Sequence, residues 1–220
     1  MTQKKMTDFE SSESNNSIEI PVDSPKYPFI LKNIKNAPDV LYAIGNIDLL
    51  NKPSAAIVGT RNPTKNAIKS ANKISKQYGN YGFVIVSGLA FGIDTVALKV
   101  AVSMKLPSIA VLPSPLDNVL PKKNRSLAND ILKNNGLLIS EYPSGTKVYK
   151  SNYINRNRII SGISMLTIVI ETSAEGGTMH TIKFAKEQIR TILVADLPAE
   201  GNQKLKEESL PMISLDFIPK

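Results

Sequence analysis

Short apolar runs alternate with longer stretches of helical periodicity from Ser54 onward, and this alternation constrains the fold more than any other feature of the sequence. Apolar residues at a period near 3.6 predict helices, whereas uninterrupted apolar runs predict strands that are buried on both faces. The predicted strands are Ala55–Val58, Phe83–Val86, Ile109–Leu112, Leu137–Ser140, Leu166–Ile170 and Thr191–Val194, with a last short strand at Met212–Leu215. The helices predicted among them cover residues 64–78, 92–104, 123–135, 156–162 and 178–189.

Repeated strand–helix units predict an α/β fold with a doubly wound, mostly parallel sheet of the extended Rossmann-like kind, because the crossovers between parallel strands are right-handed. The chain has 220 residues, which suits one such domain with appendages. We therefore expect a Rossmann-like domain over residues 54–220.

The N-terminal residues differ in composition from this domain. Residues 1–24 are rich in Ser, Asn, Glu and Asp, so we expect a disordered tail that has too little apolar surface to bury. Residues 25–53 contain an apolar run at Phe29–Leu31, a break at Pro38 and a second run at Val40–Ile44. They predict an extension made of a short helix and an edge strand.

Positive charge is concentrated in the predicted domain. Residues 52–196 contain 19 Lys/Arg and 8 Asp/Glu, a balance of +11, whereas the net charge of the whole chain is +8. A basic domain attracts polyanions, so the distribution is compatible with nucleic-acid binding without being specific for it.

The chain contains no cysteine, which excludes disulfides, thiolate zinc sites and a cysteine nucleophile. A reducing compartment permits such a composition, and we expect a cytoplasmic protein. No apolar run follows the N-terminal lysines, and no window approaches the roughly 18 apolar residues of a membrane span. We therefore expect neither secretion nor membrane insertion.

Loops that follow the predicted strands are rich in glycine. In doubly wound sheets the ligand lies beyond the carboxyl ends of the strands, where glycine lets backbone N–H groups approach an anion such as phosphate. The spacing matches neither G-x-G-x-x-G nor a P-loop, so we predict no cofactor. The loops begin at Gly59-Thr60-Arg61, Ser87-Gly88, Pro113-Ser114, Glu141-Tyr142-Pro143-Ser144-Gly145 and Glu171, the last followed by Gly176-Gly177-Thr178.

The segment from Tyr153 to Gly162 combines an aromatic residue with two arginines, Arg156 and Arg158, and two lysines lie just upstream at Lys147 and Lys150. A single strand of DNA offers bases that stack on aromatic rings and phosphates that pair with cations. The alternative, for each arginine separately, is a structural ion pair with Asp94, Glu141 or Glu171, and the structural and DNA-binding roles could also hold together.

Other candidates for chemistry are few. His180 is the only histidine, which excludes a histidine-based triad or a two-histidine metal site. The carboxylates of Asp94, Asp117, Glu141 and Glu171 could gather around a metal, although Asp94 could equally cap a helix and Glu141 pair with an arginine. We predict no catalytic residue and no metal site.

An ordered series of motifs resembles the DNA-processing protein A family, DprA or Smf, from about Tyr27 to Leu205. The motifs are Tyr27-Pro28, Ala56–Arg61, Gly82–Ala90 with Gly92-Ile93-Asp94, Leu116-Asp117, Pro121 with Asn124, Ser140–Pro143, Arg156–Gly162, and Gly201-Asn202 with Leu205. The resemblance covers the Rossmann-like core. It implies a homodimer that binds and protects single-stranded DNA and loads a RecA-type recombinase during natural transformation.

The DNA pocket of the family corresponds to Arg61, Lys150, Tyr153 and Arg156. Together with the glycine-rich loops, the predicted DNA-binding residues are Arg61, Gly88, Gly145, Lys150, Tyr153, Arg156, Asn157, Gly176, Gly177 and Thr178.

The sequence departs from the family at several positions. Phe91 and Leu98 stand where the family usually has Arg and His, and Ile154 replaces a proline. The loop Gly176-Gly177-Thr178 is similar to that of cytokinin-activating phosphoribohydrolases, although no carboxylate stands at the required place near Lys183. Two alternatives therefore stay open: a nucleotide-binding sensor or phosphoribohydrolase-like enzyme, and a scaffold that mainly binds a recombinase.

Overall fold

The computed structural model describes residues 17–214, whose strands form a single mixed sheet. The order across this sheet is β1-β2-β6-β5-β4-β3-β7-β8-β9. The strands are β1 (Ile18–Pro21), β2 (Val40–Gly45), β3 (Ser54–Val58), β4 (Val84–Ser87), β5 (Ser108–Val111), β6 (Leu137–Ser140), β7 (Leu166–Val169), β8 (Thr191–Ala195) and β9 (Met212–Ile213).

Helices connect most of the parallel strands. They are α1 (Phe29–Lys32), α2 (Lys65–Asn80), α3 (Ile93–Ser103), α4 (Arg125–Lys133), α5 (Lys150–Asn155), α6 (Asn157–Gly162), α7 (Gly177–Glu187) and α8 (Glu200–Glu207), with short 3-10 segments at Ile47–Asn51 and Lys122–Asn124.

The chain enters the parallel part of the sheet at β3 and builds outward in two directions. Strands β4, β5 and β6 are added on one side of β3, and β7, β8 and β9 on the other, all in parallel. The prediction of a doubly wound, mostly parallel sheet is therefore confirmed. The direction of winding changes between β3 and β7, which is where doubly wound folds open a crevice for ligands.

Burial on both faces explains why the strand sequences lack polar alternation. In β3, Ala56 and Val58 pack in the same core as Ile159 and Ile160 of α6, whereas Ala55 belongs to the core on the side of α2 and α3. Each face is covered by helices, so every β3 side chain is buried.

Two features of the N-terminal extension differ from the prediction. Ile18–Pro21, at the end of the expected disordered tail, is strand β1, which pairs antiparallel with β2. Residues 1–16 lie outside the described part of the chain. Strand β2 is not an edge strand, because β1 and β6 flank it on both sides. Ile20 of β1 is buried in the core, whereas Ile18 is exposed, so a single buried residue in polar surroundings gave no strand pattern in the sequence.

Most other boundaries agree to within one or two residues. Helices α5 and α8 were not predicted; α5 lies directly before α6, and α8 lies between β8 and β9. Strand β9 begins at Met212 as predicted, but Leu215 lies outside the described residues. Over residues 17–214, no helix is long and apolar enough to cross a membrane.

Candidate nucleic-acid interface

A cavity of about 380 Å³ opens at the switch between β3 and β7. Its wall comes from the loop after β3, the loop after β7, the N-terminus of α7 and the α5–α6 segment. The lining residues include Gly59, Thr60, Arg61, Tyr153, Arg156, Asn157, Thr172, Ser173, Gly176, Gly177 and Thr178. Loops far apart in the sequence thus meet at the place that the winding of the sheet predicts.

Arg61 and Tyr153 face each other at this cavity. The Arg61 guanidinium carbon lies 5.6 Å from the centre of the Tyr153 ring, a distance typical of a cation–π contact. Arg61 is exposed and Tyr153 is half-buried. The pair therefore offers an aromatic surface and a positive charge side by side to a ligand.

Neighbouring loops hold the backbone around Arg61 in place. The Thr60 N–H donates to the Glu171 carbonyl at 2.7 Å, and the Ile93 N–H donates to the Thr60 carbonyl at 3.1 Å. Gly92 has a φ of +76°, and a Cβ there would lie 2.7 Å from the Cα of Arg61. Only glycine combines this φ with so close an approach, so Gly92 fixes the position of the Arg61 loop.

The side chain of Glu171 also binds the end of this loop, at Thr64. Its two carboxylate oxygens accept hydrogen bonds at 2.8 Å from the N–H and the hydroxyl of Thr64, and Thr64 in turn caps α2 by accepting from the Ala67 N–H. Glu171 is thus engaged in holding the N-terminus of α2 rather than available as a metal ligand or a base.

Arg156 lies beneath the same cavity and has a different environment from Arg61. It is only 3% exposed, and its Nη1 donates to the carbonyls of Gly88, directly after β4, and Val111, the last residue of β5. Burial lowers the pKa of Arg156 to about 10, although Asp94 opposes the shift. A Cβ on Gly88 would lie 2.5 Å from the guanidinium carbon, so glycine is required there to admit the arginine.

Asp94 supports the loop between β4 and α3. Its Oδ2 accepts from the backbone N–H groups of Gly88 at 3.1 Å and Ala90 at 3.3 Å. Burial raises the pKa of Asp94, while the charge of Arg156 and these hydrogen bonds act in the opposite direction. Asp94 and Arg156 thus form the charged base of the cavity.

Arg158 faces away from the cavity and pairs with Glu141. Its Nη1 and Nη2 donate to the two carboxylate oxygens at 2.7 and 2.6 Å, and its Nε donates to the carbonyl of Asn36 at 2.8 Å. The structural interpretation of this arginine is therefore confirmed.

The N-terminus of α7 points into the cavity. Gly176 precedes the helix, Gly177 is its first residue, and a Cβ on Gly177 would meet open space. The first N–H groups of a helix have no intrahelical acceptor and carry partial positive charge. This arrangement favours an anion such as a phosphate group.

Seven of the ten predicted DNA-binding residues line the cavity, namely Arg61, Tyr153, Arg156, Asn157, Gly176, Gly177 and Thr178. The other three do not. Gly88 lies behind the Arg156 guanidinium, Gly145 lies in the exposed loop after β6 with a φ of +80°, and Lys150 is the exposed first residue of α5. The prediction missed Thr172 and Ser173, although their position directly after a central strand was a usable signal.

The alternative of a metal-binding carboxylate cluster has no support in the described residues. Over residues 17–214, no group of three or more His, Asp or Glu side chains could hold a metal ion. Besides the carboxylates already accounted for, Asp117 accepts a hydrogen bond from the Ser144 hydroxyl. His180 is exposed on α7.

A family profile and similar known sequences indicate the same family for this chain. The sequence profile of the family described as DNA recombination-mediator protein A matches residues 19–214. The chain is 40% identical over 174 residues to DNA processing protein DprA of Bacillus subtilis, covering 79% of this chain and 58% of that protein. It is 36% identical over 193 residues to DprA of Streptococcus pneumoniae, covering 86% of this chain and 68% of that protein. The chain covers 58% of the B. subtilis protein and 44% of protein Smf of Synechocystis. It therefore spans about half the length of these relatives.

Solved structures agree with the sequence comparison. DprA from S. pneumoniae superposes with a TM-score of 0.84 at 33% identity, covering 91% of this chain and 72% of that one. A DNA processing protein A from Helicobacter pylori, described for its single-stranded DNA binding mode, gives 0.83 at 26% identity and covers 94% of each chain. A molybdenum cofactor binding protein from Rippkaea orientalis shares the fold alone, with a TM-score of 0.54 at 17% identity, 74% of this chain and 90% of that one. The chain belongs to the DprA/Smf family, the DNA recombination-mediator proteins A.

Proposed function

We propose that this protein binds single-stranded DNA in the cavity between β3 and β7. The observation that carries the proposal is the Arg61–Tyr153 pair at 5.6 Å, because it joins a stacking surface to a phosphate-binding cation at the ligand position of the fold. The family relationship supports it, since the H. pylori relative is described as a single-stranded DNA binder.

In this proposal the residues around the cavity have separate roles. A base stacks on the Tyr153 ring, and Arg61 pairs with a phosphate beside it. The N-terminus of α7, which lines the cavity at Gly177 and Thr178, binds a second phosphate through the N–H groups of its first turn. Arg156 adds positive charge from below while it holds the loops together, and Lys150 attracts the strand from the rim.

We further propose the wider role that the family resemblance implies. The protein acts as a cytoplasmic homodimer, protects incoming single strands and loads a RecA-type recombinase on them during natural transformation. It binds DNA and does not cleave it. A pull-down of RecA with and without single-stranded DNA tests this role, because a loader recruits more recombinase when DNA is present, whereas a scaffold binds it equally in both cases.

The test of DNA binding compares two double variants. Arg61→Ala with Tyr153→Ala removes one cation and one ring from the cavity. Lys76→Ala with Tyr81→Ala removes an exposed cation and an exposed ring near the C-terminus of α2, shortly before β4 begins. Loss of one stacked base alone costs about 1–3 kcal/mol. Fluorescence anisotropy with oligo-dT should therefore show at least a tenfold loss for the first variant and no change for the second.

Circular dichroism shows whether both variants keep the fold. Equal affinities of the folded cavity variant and the wild type would contradict the assignment of the DNA site. An equal loss in both variants would mean that binding follows overall charge instead of the cavity.

A second candidate function is the binding of a mononucleotide. The α7 N-terminus at the cavity favours it, and a volume of about 380 Å³ is within the range of small-ligand sites. A mononucleotide at a hundred times its dissociation constant would add about 2.7 kcal/mol to the free energy of unfolding. Thermal unfolding with a nucleoside monophosphate and with oligo-dT separates the two functions, because the DNA-binding site predicts stabilisation by the oligomer and little by the monomer.

A further inference from the structure

A second pair of a tyrosine and a cation lies shortly before Tyr153 in the chain. The Nζ of Lys147 lies 5.6 Å from the centre of the Tyr149 ring, the same distance as between the Arg61 guanidinium carbon and the Tyr153 ring. Tyr149 is 58% exposed, so most of its side chain is open to a ligand. Neither residue lines the cavity between β3 and β7.

Helix α5 relates the two rings to each other. Tyr149 is the N-cap residue and Tyr153 the fourth residue of the helix, so the two tyrosines are four positions apart. At a rise of 1.5 Å per residue, the separation along the helix axis is about 6 Å. This is nearly twice the 3.4 Å rise of a strand in duplex DNA. Two adjacent bases can therefore each rest on a ring only if they are unstacked from one another, as in an extended single strand.

The loop that carries Tyr149 is held by hydrogen bonds. The Tyr149 carbonyl accepts from the Asn152 N–H at 3.1 Å. Upstream, the Thr146 N–H and hydroxyl both donate to the Pro143 carbonyl, at 3.2 and 2.7 Å. The exposed Tyr149 ring thus lies next to an ordered turn, so less conformational entropy is lost when the ring binds a ligand.

We propose that Tyr149 and Lys147 form a second nucleotide site, one base along the strand from Tyr153. The inference rests on the proposed function, because it extends the same DNA track along α5 and out of the cavity. Lys150 lies between the two rings in sequence and would pair with a phosphate that links the two nucleotides. A single exposed aromatic residue is ordinary on a protein surface. The indication of a track is that a ring beside a cation occurs twice, with the two rings at the N-cap and the fourth residue of α5.

The sequence offers a direct probe, because it contains no tryptophan. Tyr149→Trp introduces a single tryptophan whose fluorescence is quenched when a base stacks on it. The matched control is Tyr81→Trp, at a tyrosine that is 50% exposed and caps the C-terminus of α2, shortly before β4 begins. Titration with oligo-dT should quench the tryptophan at 149, with the midpoint that anisotropy gives for binding, and leave the tryptophan at 81 unchanged.

A second measurement does not depend on the probe. Tyr149→Ala should lower the affinity for a ten-nucleotide oligo-dT by about tenfold, as expected for one stacked base. Lys76→Ala with Tyr81→Ala again serves as the unaffected control.

The outcomes distinguish this inference from the proposal on which it rests. If oligo-dT saturates the Tyr149→Trp protein while its fluorescence stays constant, or if the folded Tyr149→Ala variant binds like the wild type, the second site is wrong and the cavity site stands. If the wild-type protein binds no oligo-dT at all, both proposals are wrong.

Discussion

Two arginines line the same cavity, but one is exposed and the other is buried. Arg61 is exposed at the rim beside Tyr153, and within residues 17–214 it takes part in no ion pair. Arg156 is buried at the base, where its guanidinium joins the ends of β4 and β5. A buried guanidinium is tolerated only when its N–H groups find acceptors and its charge is compensated. We infer that Arg156 at the base of the cavity stabilises the fold, whereas Arg61 at the rim is available to bind a ligand.

The largest effect that this comparison predicts is on stability. Arg156→Ala leaves two buried carbonyls without a donor and Asp94 without its compensating charge, so we expect a loss of about 3–5 kcal/mol in the free energy of unfolding. Arg61→Ala should change the same quantity by less than about 0.5 kcal/mol. Urea unfolding of both variants measures the difference.

Gly88→Ala is the companion variant for Arg156. It keeps the arginine but places a Cβ against the guanidinium, and it should also destabilise the protein. If Arg156→Ala and Arg61→Ala unfold at the same urea concentration, the division between base and rim is wrong.

A smaller effect on stability is expected at Arg158. Arg158→Ala removes the bidentate pair with Glu141 and the bond to the Asn36 carbonyl. Because both partners are 12–15% exposed and water can partly replace the pair, we expect a loss of about 2–3 kcal/mol. A double-mutant cycle with Glu141→Gln measures the coupling, and additive effects of the two changes would show that the ion pair contributes nothing.

The sheet and its winding could be predicted from the sequence because parallel strands must be apolar on both faces. The apolar runs at Ala55–Val58 and Leu137–Ser140 predict such strands from their local sequence alone. Strand β1 could not be predicted in this way. Its four residues lie in polar surroundings, and only the pairing with β2 and the burial of Ile20 make it a strand.

The site was predictable to the extent that it follows from strand ends. Loops after β3 and β7 meet because the winding changes there, which brings Arg61 close to Gly176 and Gly177. The sequence could not predict that Arg61 is exposed and Arg156 is buried, because both are arginines near glycines. Only the packing of β4 and β5 around Arg156 determines which of the two is buried.

A binding effect of intermediate size separates the ring of Tyr153 from its hydroxyl. Tyr153→Phe keeps an aromatic face and should bind oligo-dT as the wild type does, whereas Tyr153→Ala should lose about 1–3 kcal/mol of binding free energy. Both should unfold at nearly the wild-type urea concentration, since Tyr153 is half-buried at the rim. An equal loss of affinity in both variants would assign the contact to the hydroxyl and remove the stacking interpretation.

The smallest expected effect is that of Lys150, which is exposed at the start of α5 and does not line the cavity. A lysine that meets a phosphate only through charge contributes by releasing a counterion, so its removal alters the salt dependence of binding more clearly than the affinity at one salt concentration. Lys150→Gln should reduce the slope of log K against log[salt] by about 0.7. Arg61→Ala should reduce it by a similar amount and also lower the affinity at high salt, because the contact with Tyr153 is lost. A Lys150→Gln slope equal to that of the wild type would place the strand away from the first residue of α5, and the DNA-binding rim would then end at Tyr153.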